Sequence, residues 1–231
     1  MGSAVLNLPL LQKLRSFYPE ARIDILVTPN TRGIFTRTPL VNGNIINLFS
    51  LQGLWQIFRV LKAYDLVIDT EEYFSISSLV TFYCGKYRIG FDTMASRKNA
   101  YHRAIPFNDT QHISDTYLDL VRIGFNAQVS PVESLIPIVV PAHVEHKVKT
   151  YLQSLPVYSR LIGIHPGGST TAPERFWSVN RWTALCSLVL SYDPEIFILM
   201  TGTELEKIAH SQILQGLSNS TRIVSTIGDL P

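Results

Sequence analysis

One stretch of this chain carries the residue types that hold a phosphate. His165-Pro166-Gly167-Gly168-Ser169-Thr170-Thr171 follows the apolar run Leu161 to Ile164, and Arg175, Trp177 and Ser178 come just after. Paired glycines let a ligand approach the backbone closely. Ser169, Thr170 and Thr171 offer hydroxyl donors, and Arg175 offers a charged planar fork. Free backbone N–H groups, hydroxyls and a guanidinium in one loop make a diphosphate site. The same residues also suit an ordinary strand-to-helix loop, because neither a GxGxxG fingerprint nor a P-loop is present.

Three further segments have the character of strand ends, where parallel α/β sheets bind ligands. In Thr201-Gly202-Thr203-Glu204 the carboxylate can accept sugar hydroxyls or simply complement a helix N-terminus. Asp69-Thr70-Glu71-Glu72 can meet a polar substrate or form a solvated turn. Gly90-Phe91-Asp92 precedes Arg97, Lys98, His102 and Arg103, a basic stretch suited to an anionic acceptor or to plain solvation. His112 and His165 lack a second ligand at metal spacing, so structural hydrogen bonds are expected of them and no metal site is predicted.

The elements that must position these residues alternate between strand and helix. Helices are predicted over Leu6–Tyr18, with Leu10, Leu11, Leu14 and Phe17 on one face, and over Leu51–Ala63, with Leu54, Trp55, Phe58 and Leu61 at helical spacing. Further helices are expected over Tyr73–Cys84, from an Asp109 or Thr110 cap to Arg122, over Ala142–Leu155, from a Ser178 cap onward, and over Glu204–Leu217. Strands are expected over Arg22–Thr28, Leu66–Ile68, Tyr87–Phe91, Leu161–His165, Ile196–Met200 and Arg222–Ser225. Short apolar strands between helices imply parallel sheets. A proline-marked break near Leu155 to Arg160 sets two domains, 1–156 and 157–231. The first element is a helix with no strand before it, and the last strand has no helix after it, so the chain reads as cut at both ends.

Composition bounds the function classes. The 231 residues are 46% hydrophobic and 16% charged, with a net charge of +2. That is a folded composition without the strong basicity of a nucleic-acid binder. Cys84 and Cys186 each sit in an apolar helical pattern and are expected as buried free thiols, which fits a reducing cytoplasm. No apolar run reaches the ~18 residues of a membrane span, and no signal peptide precedes the first helix. A cytoplasmic protein is expected, with room for peripheral contact at the inner membrane.

Gly163 to Ser169, then Arg175-Phe176-Trp177 and Arg181-Trp182, resemble the opening of the donor-binding domain of glycosyltransferase family 9, the family of the lipopolysaccharide heptosyltransferases. Thr201-Gly202 with Glu204 resembles its next strand end. Tyr64 to Asp69 and Arg88 to Phe91 resemble landmarks of its acceptor domain. Pro9-Leu10-Leu11, Leu14-Arg15 and Tyr18-Pro19-Glu20-Ala21 resemble its first helix. The similarity runs along essentially the whole chain in the family's order.

The resemblance implies an α/β, GT-B-like fold of two Rossmann-like domains. Here the first strand of the N-terminal domain and the last part of the C-terminal domain would be missing. It implies an inverting, metal-independent transfer of a sugar from a nucleotide-diphosphate donor to a glycan or glycolipid acceptor, with no cofactor and no nucleic acid involved. Gly167, Gly168, Ser169, Thr170, Thr171, Arg175, Thr201, Gly202 and Glu204 would hold the donor, the hydroxyls and Arg175 taking the diphosphate and Glu204 the ribose. Asp69, Glu71 and Arg97 would lie on the acceptor side. Ser3 stands where the family carries its acidic general base, and a serine hydroxyl does not ionise near neutral pH. The chain as written is therefore expected to be inactive, and a non-catalytic sugar-nucleotide binding module of the same shape is the competing expectation.

Overall fold

A computed structural model describes residues 2–47, 50–130, 132, 134–168, 173–217 and 220–229. The chain divides into two compact units, residues 1–139 and 140–231. The sequence pattern places the boundary after the helix that ends at Leu155; in the structure that helix groups with the second unit.

The first unit opens on α1 (Gly2–Leu6) and α2 (Leu8–Phe17), split at Asn7, with Pro9 tolerated in the first turn of α2. Then come β1 (Ile25–Val27), α3 (Arg32–Phe35), β2 (Ile45–Asn47), α4 (Leu51–Arg59) and β3 (Tyr64–Asp69). α5 (Ser75–Cys84), β4 (Gly85–Phe91), α6 (Ala95–Lys98), β5 (Arg103–Ile105) and α7 (Ile113–Arg122) complete it. β1 pairs with β2, and β3, β4 and β5 form a second sheet; every pairing is parallel. The register sets Asp69 beside Gly90, and Gly90 beside Ala104.

α2 serves both sheets. Leu8 and Leu11 join Val27, Ile34, Phe35 and Leu40, while Leu10 joins Ile89, Phe91, Ile105, Leu120 and Val121. Phe17 does not share that buried face and stands 40% exposed, because the helix ends there. The cap of α7 is His112, whose ring accepts from the Ser114 N–H, in place of Asp109 or Thr110. α4 departs most from the expected pattern: it ends at Arg59 rather than Ala63, and Leu54, Trp55 and Phe58, with Leu61 just past its end, are exposed.

The second unit runs α8 (Ala142–Ser154), β6 (Arg160–Ile164), a 3-10 turn at Pro173–Arg175, α9 (Val179–Tyr192), β7 (Ile196–Met200), a 3-10 turn at Glu204–Glu206, α10 (Lys207–Gly216) and β8 (Ile223–Ser225). Its sheet is parallel, in the order β6-β7-β8, with Ile164, Met200 and Ser225 level at the carboxyl end. β7 is buried throughout, as expected for the central strand of a covered parallel sheet. Ser178 caps α9 by accepting from the Arg181 N–H, as its sequence position predicts. Cys186 is a buried free thiol inside this core, and Cys84 is one in the first unit. β3 and β6 lie in different sheets.

Candidate functional site

Strand ends that are level across a parallel sheet gather loop residues into one place. In the second unit these are His165 to Gly168, Thr201 to Thr203, and Ser225. Thr201 donates its backbone N–H to the Ile164 carbonyl at 2.8 Å, which locks the two loops together. Its hydroxyl lies 3.3 Å from His165 Nδ1, the structural hydrogen bond expected of that histidine.

Behind the loops stands Glu206. Its carboxylate accepts from the Thr203 N–H and hydroxyl, both at 2.7 Å, and Thr203 in turn receives the Leu205 N–H. This reciprocal cap fixes the 3-10 turn Glu204–Glu206 that leads into α10. The Thr203 bonds hold the Glu206 carboxyl below the usual range, with His165 adding to the effect. Gly167 passes so close that a Cβ there would meet the Glu206 carboxyl at 2.8 Å. His210, on the first turns of α10, is almost fully buried; its Nδ1 lies 2.7 Å from Ser225 Oγ, and its Nε2 has no protein partner. Burial pulls its pKa down, so the ring is neutral at pH 7 and can donate or accept one hydrogen bond.

Ser169, Thr170 and Thr171 lie outside the described residues. Arg175 closes the 3-10 turn after them; its side chain is 82% exposed and only 3.9 Å from Glu174, so its guanidinium is open to an incoming anion. Glu204 is exposed and pairs with Lys207 at 2.9 Å, while Glu206 is the carboxylate that turns back toward the strand ends. Glu206, His210 and Ser225 escape sequence reasoning because each sits within an ordinary helix or strand pattern.

In the first unit the structure brings Asp69, Glu71 and Arg97 together. Arg97, fully buried, donates to Asp69 Oδ2 at 3.2 Å, to the Phe74 carbonyl, to the Glu71 carbonyl and to the Tyr101 hydroxyl. Tyr101 donates to Asp69 at 2.7 Å. Burial pushes the Asp69 carboxyl up, opposed by Tyr101, the Glu71 N–H and Arg97. This cluster clamps the loop after β3 onto α6. Lys98, His102 and Arg103, from the basic stretch, line an open cavity of about 460 Å³ along the edge strand β5.

Glu72, next in the loop, is only partly buried. Tyr117 of α7 donates to its carboxylate at 3.2 Å, and the same phenol also meets the Ser3 hydroxyl. Burial raises the Glu72 pKa, with neighbouring Glu71 acting in the same direction and Tyr117 against it. Ser3 thus stands beside a carboxylate it does not itself carry.

The chain is 26% identical over 164 residues to lipopolysaccharide heptosyltransferase 3 of Escherichia coli, a match covering 67% of this chain and 44% of that protein. Its fold superimposes on the glycosyl transferase family 9 structure from Veillonella parvula with a TM-score of 0.78 at 15% identity, over 98% of this chain and 66% of that one. The fold is that of the family 9 glycosyltransferases. Two further structures of this fold agree: E. coli ADP-heptose lipopolysaccharide heptosyltransferase II (TM-score 0.72, 18% identity, 96% of this chain and 68% of that one) and the E. coli heptosyltransferase WaaC with ADP-2-deoxy-2-fluoro heptose (0.63, 20%, 96% and 72%). No family model matches the chain. The resemblance to family 9 drawn from Gly163 to Arg175 and its companion segments is borne out, as is the GT-B-like α/β fold. The chain spans 44% of the length of the curated relative it matches.

Proposed function

We propose that this chain is a glycosyltransferase of the heptosyltransferase type. It would move a sugar from a nucleotide-diphosphate donor to lipopolysaccharide or another surface glycan, inverting the anomeric centre without a metal ion or cofactor. The observation that carries the reading is the gathering of His165, Gly167, Thr201 and the unpartnered His210 Nε2 near the level strand ends of the second unit. Its relatives bear heptosyltransferase names. The reading places the protein in the cytoplasm, at the inner-membrane surface where a glycolipid acceptor is met.

In this reading Gly167 to Thr171 and Arg175 hold the diphosphate, and Glu204 the ribose. The acceptor hydroxyl attacks the anomeric carbon, the bond from that carbon to the diphosphate oxygen breaks, and the hydroxyl proton passes to a base. Ser3 cannot take it; this reading assigns the role to Glu72, whose carboxylate Tyr117 holds beside Ser3, so turnover is expected where Ser3 alone would leave none.

Ser3 in place of an acid favours the second reading, a binding module that holds a sugar nucleotide without transferring it. One pair of measurements separates the two. Calorimetric titration with ADP and ADP-heptose tests the donor site, and product release with lipopolysaccharide acceptors tests transfer. Binding without turnover selects the module; neither binding nor turnover sinks both.

A further inference from the structure

Helix α4 is built inside out. Its inward side carries Gly53, seated so tightly that a Cβ there would lie 1.7 Å from the Asn47 carbonyl oxygen, together with the partly buried Ile57 and Val60. Its outward side carries Leu51, Leu54, Trp55 and Phe58, which are 88%, 53%, 54% and 72% exposed. The spacing i, i+3, i+4, i+7 makes these one continuous stripe. Four large apolar side chains on one exposed stripe mark a surface that meets something apolar.

Charge says what. From residue 25 to residue 64 the sequence contains no aspartate or glutamate, but it carries Arg32, Arg37, Arg59 and Lys62. Arg59 lies over the Trp55 ring at 3.4 Å, and Lys62, just past the helix, lies 5.3 Å over the Phe82 ring at the exposed end of α5. Arg59 thus borders the apolar stripe on the face of one of its own rings, while Lys62 rests on α5, its Nζ also donating to the Phe82 carbonyl at 3.1 Å. An outward Trp, Phe and Leu stripe bordered by Arg, on a stretch free of acids until Asp65, whose exposed carboxylate is paired with Lys86, has the make-up of an interfacial helix that buries its apolar side among acyl chains and sets its cations among anionic headgroups. A protein partner would have to supply both a matching apolar groove and its own acids; an anionic bilayer supplies both at once.

We infer that α4 docks this protein on an anionic lipid surface, with Leu51, Leu54, Trp55 and Phe58 entering the headgroup boundary and Arg59 and Lys62 meeting lipid phosphates. The inference names the membrane-facing element of the proposed function and rests on that reading only for where the protein works. Vesicle binding needs neither donor nor acceptor, so it can fail while sugar transfer stands, and the reverse.

The test is sedimentation of the whole chain with vesicles of mixed phosphatidylglycerol and phosphatidylcholine, and with phosphatidylcholine alone. Binding to the anionic vesicles is expected, weaker with phosphatidylcholine alone and weaker as salt rises. Trp55→Ser with Phe58→Ser should lower partitioning by about tenfold or more, the loss expected when two aromatic side chains no longer leave water. Arg59→Gln with Lys62→Gln should abolish the preference for anionic lipid while keeping α4 folded by circular dichroism. Equal partitioning of wild type and both variants would overturn the inference. So would a dimer in analytical ultracentrifugation that Phe58→Ser dissolves without any vesicle binding, since a second copy would then cover the stripe.

Discussion

The Tyr117 hydroxyl donates to the Glu72 carboxylate across 3.2 Å and also meets the Ser3 hydroxyl, so one buried phenol ties the loop after β3 to the first turn of the chain. Glu72→Gln is expected to lower sugar transfer by about 10²–10⁴-fold while leaving donor affinity unchanged. Because burial raises the Glu72 pKa, wild-type activity should fall as pH drops through a value above that of an ordinary glutamate, and that limb should vanish in the variant. Ser3→Asp in the Glu72→Gln background should restore part of the rate. A pH–rate profile unchanged by Glu72→Gln would assign the base elsewhere.

Arg97 and Asp69 form a fully enclosed pair, so removing one partner strands the other's charge. Arg97→Ala should destabilise the protein by about 3–5 kcal/mol in urea unfolding. Donor binding in the fraction that stays folded should not change, because the pair holds together the first unit and the proposed donor loops belong to the second. A stability loss below about 1 kcal/mol would show that water replaces the lost contacts.

Arg175 is the exposed cation beside the proposed diphosphate loop. Arg175→Ala should weaken nucleoside diphosphate binding by about 1.5–3 kcal/mol, the worth of a charged hydrogen bond. Arg175→Lys should recover only part of it, since an ammonium lacks the planar fork. Titration calorimetry giving equal affinities for wild type and Ala variant would remove this residue from the site.

His210 supplies a pH signature of its own. Burial holds its pKa below the ordinary 6.5, so as pH falls the unfolded chain takes up the proton before the folded one does. Its contribution to stability is therefore fully present above about 6.5 and is lost as pH drops through that value toward the lower folded one. Urea unfolding followed between about pH 5 and 8 should show a shallower slope in His210→Gln than in wild type. Parallel profiles would mean that the ring does not change its protonation in this range.

Much of the fold was readable because long periodic segments announce themselves: α7, α9 and β7 follow their apolar spacing closely. β2, β5, α3 and α6 are three or four residues long, too short to display a period. The α4 spacing was legible but its direction was not, since a helical stripe reads the same whether it faces a core or the outside. At the site, glycines after an apolar run pointed to His165–Gly168 and Thr201–Gly202. Glu206 turns back through a capping box, His210 meets Ser225 across fifteen residues, and Glu72 meets Tyr117 across forty-five; local spacing carries no trace of such pairings.

Gly90 lacks a side chain where the Tyr101 ring lies, 2.3 Å from where a Cβ would be, and that ring carries the hydroxyl that holds Asp69. The two positions are therefore bound in the order of their change. Gly90→Ala alone should be severely harmful, since it drives the phenol off the buried carboxylate. With a smaller residue already at position 101 it should be nearly silent, the cost having been met at the first step. The constraint is one of order: a side chain at position 90 fits only once the residue at 101 is smaller, and a tyrosine at 101 fits only while position 90 has none.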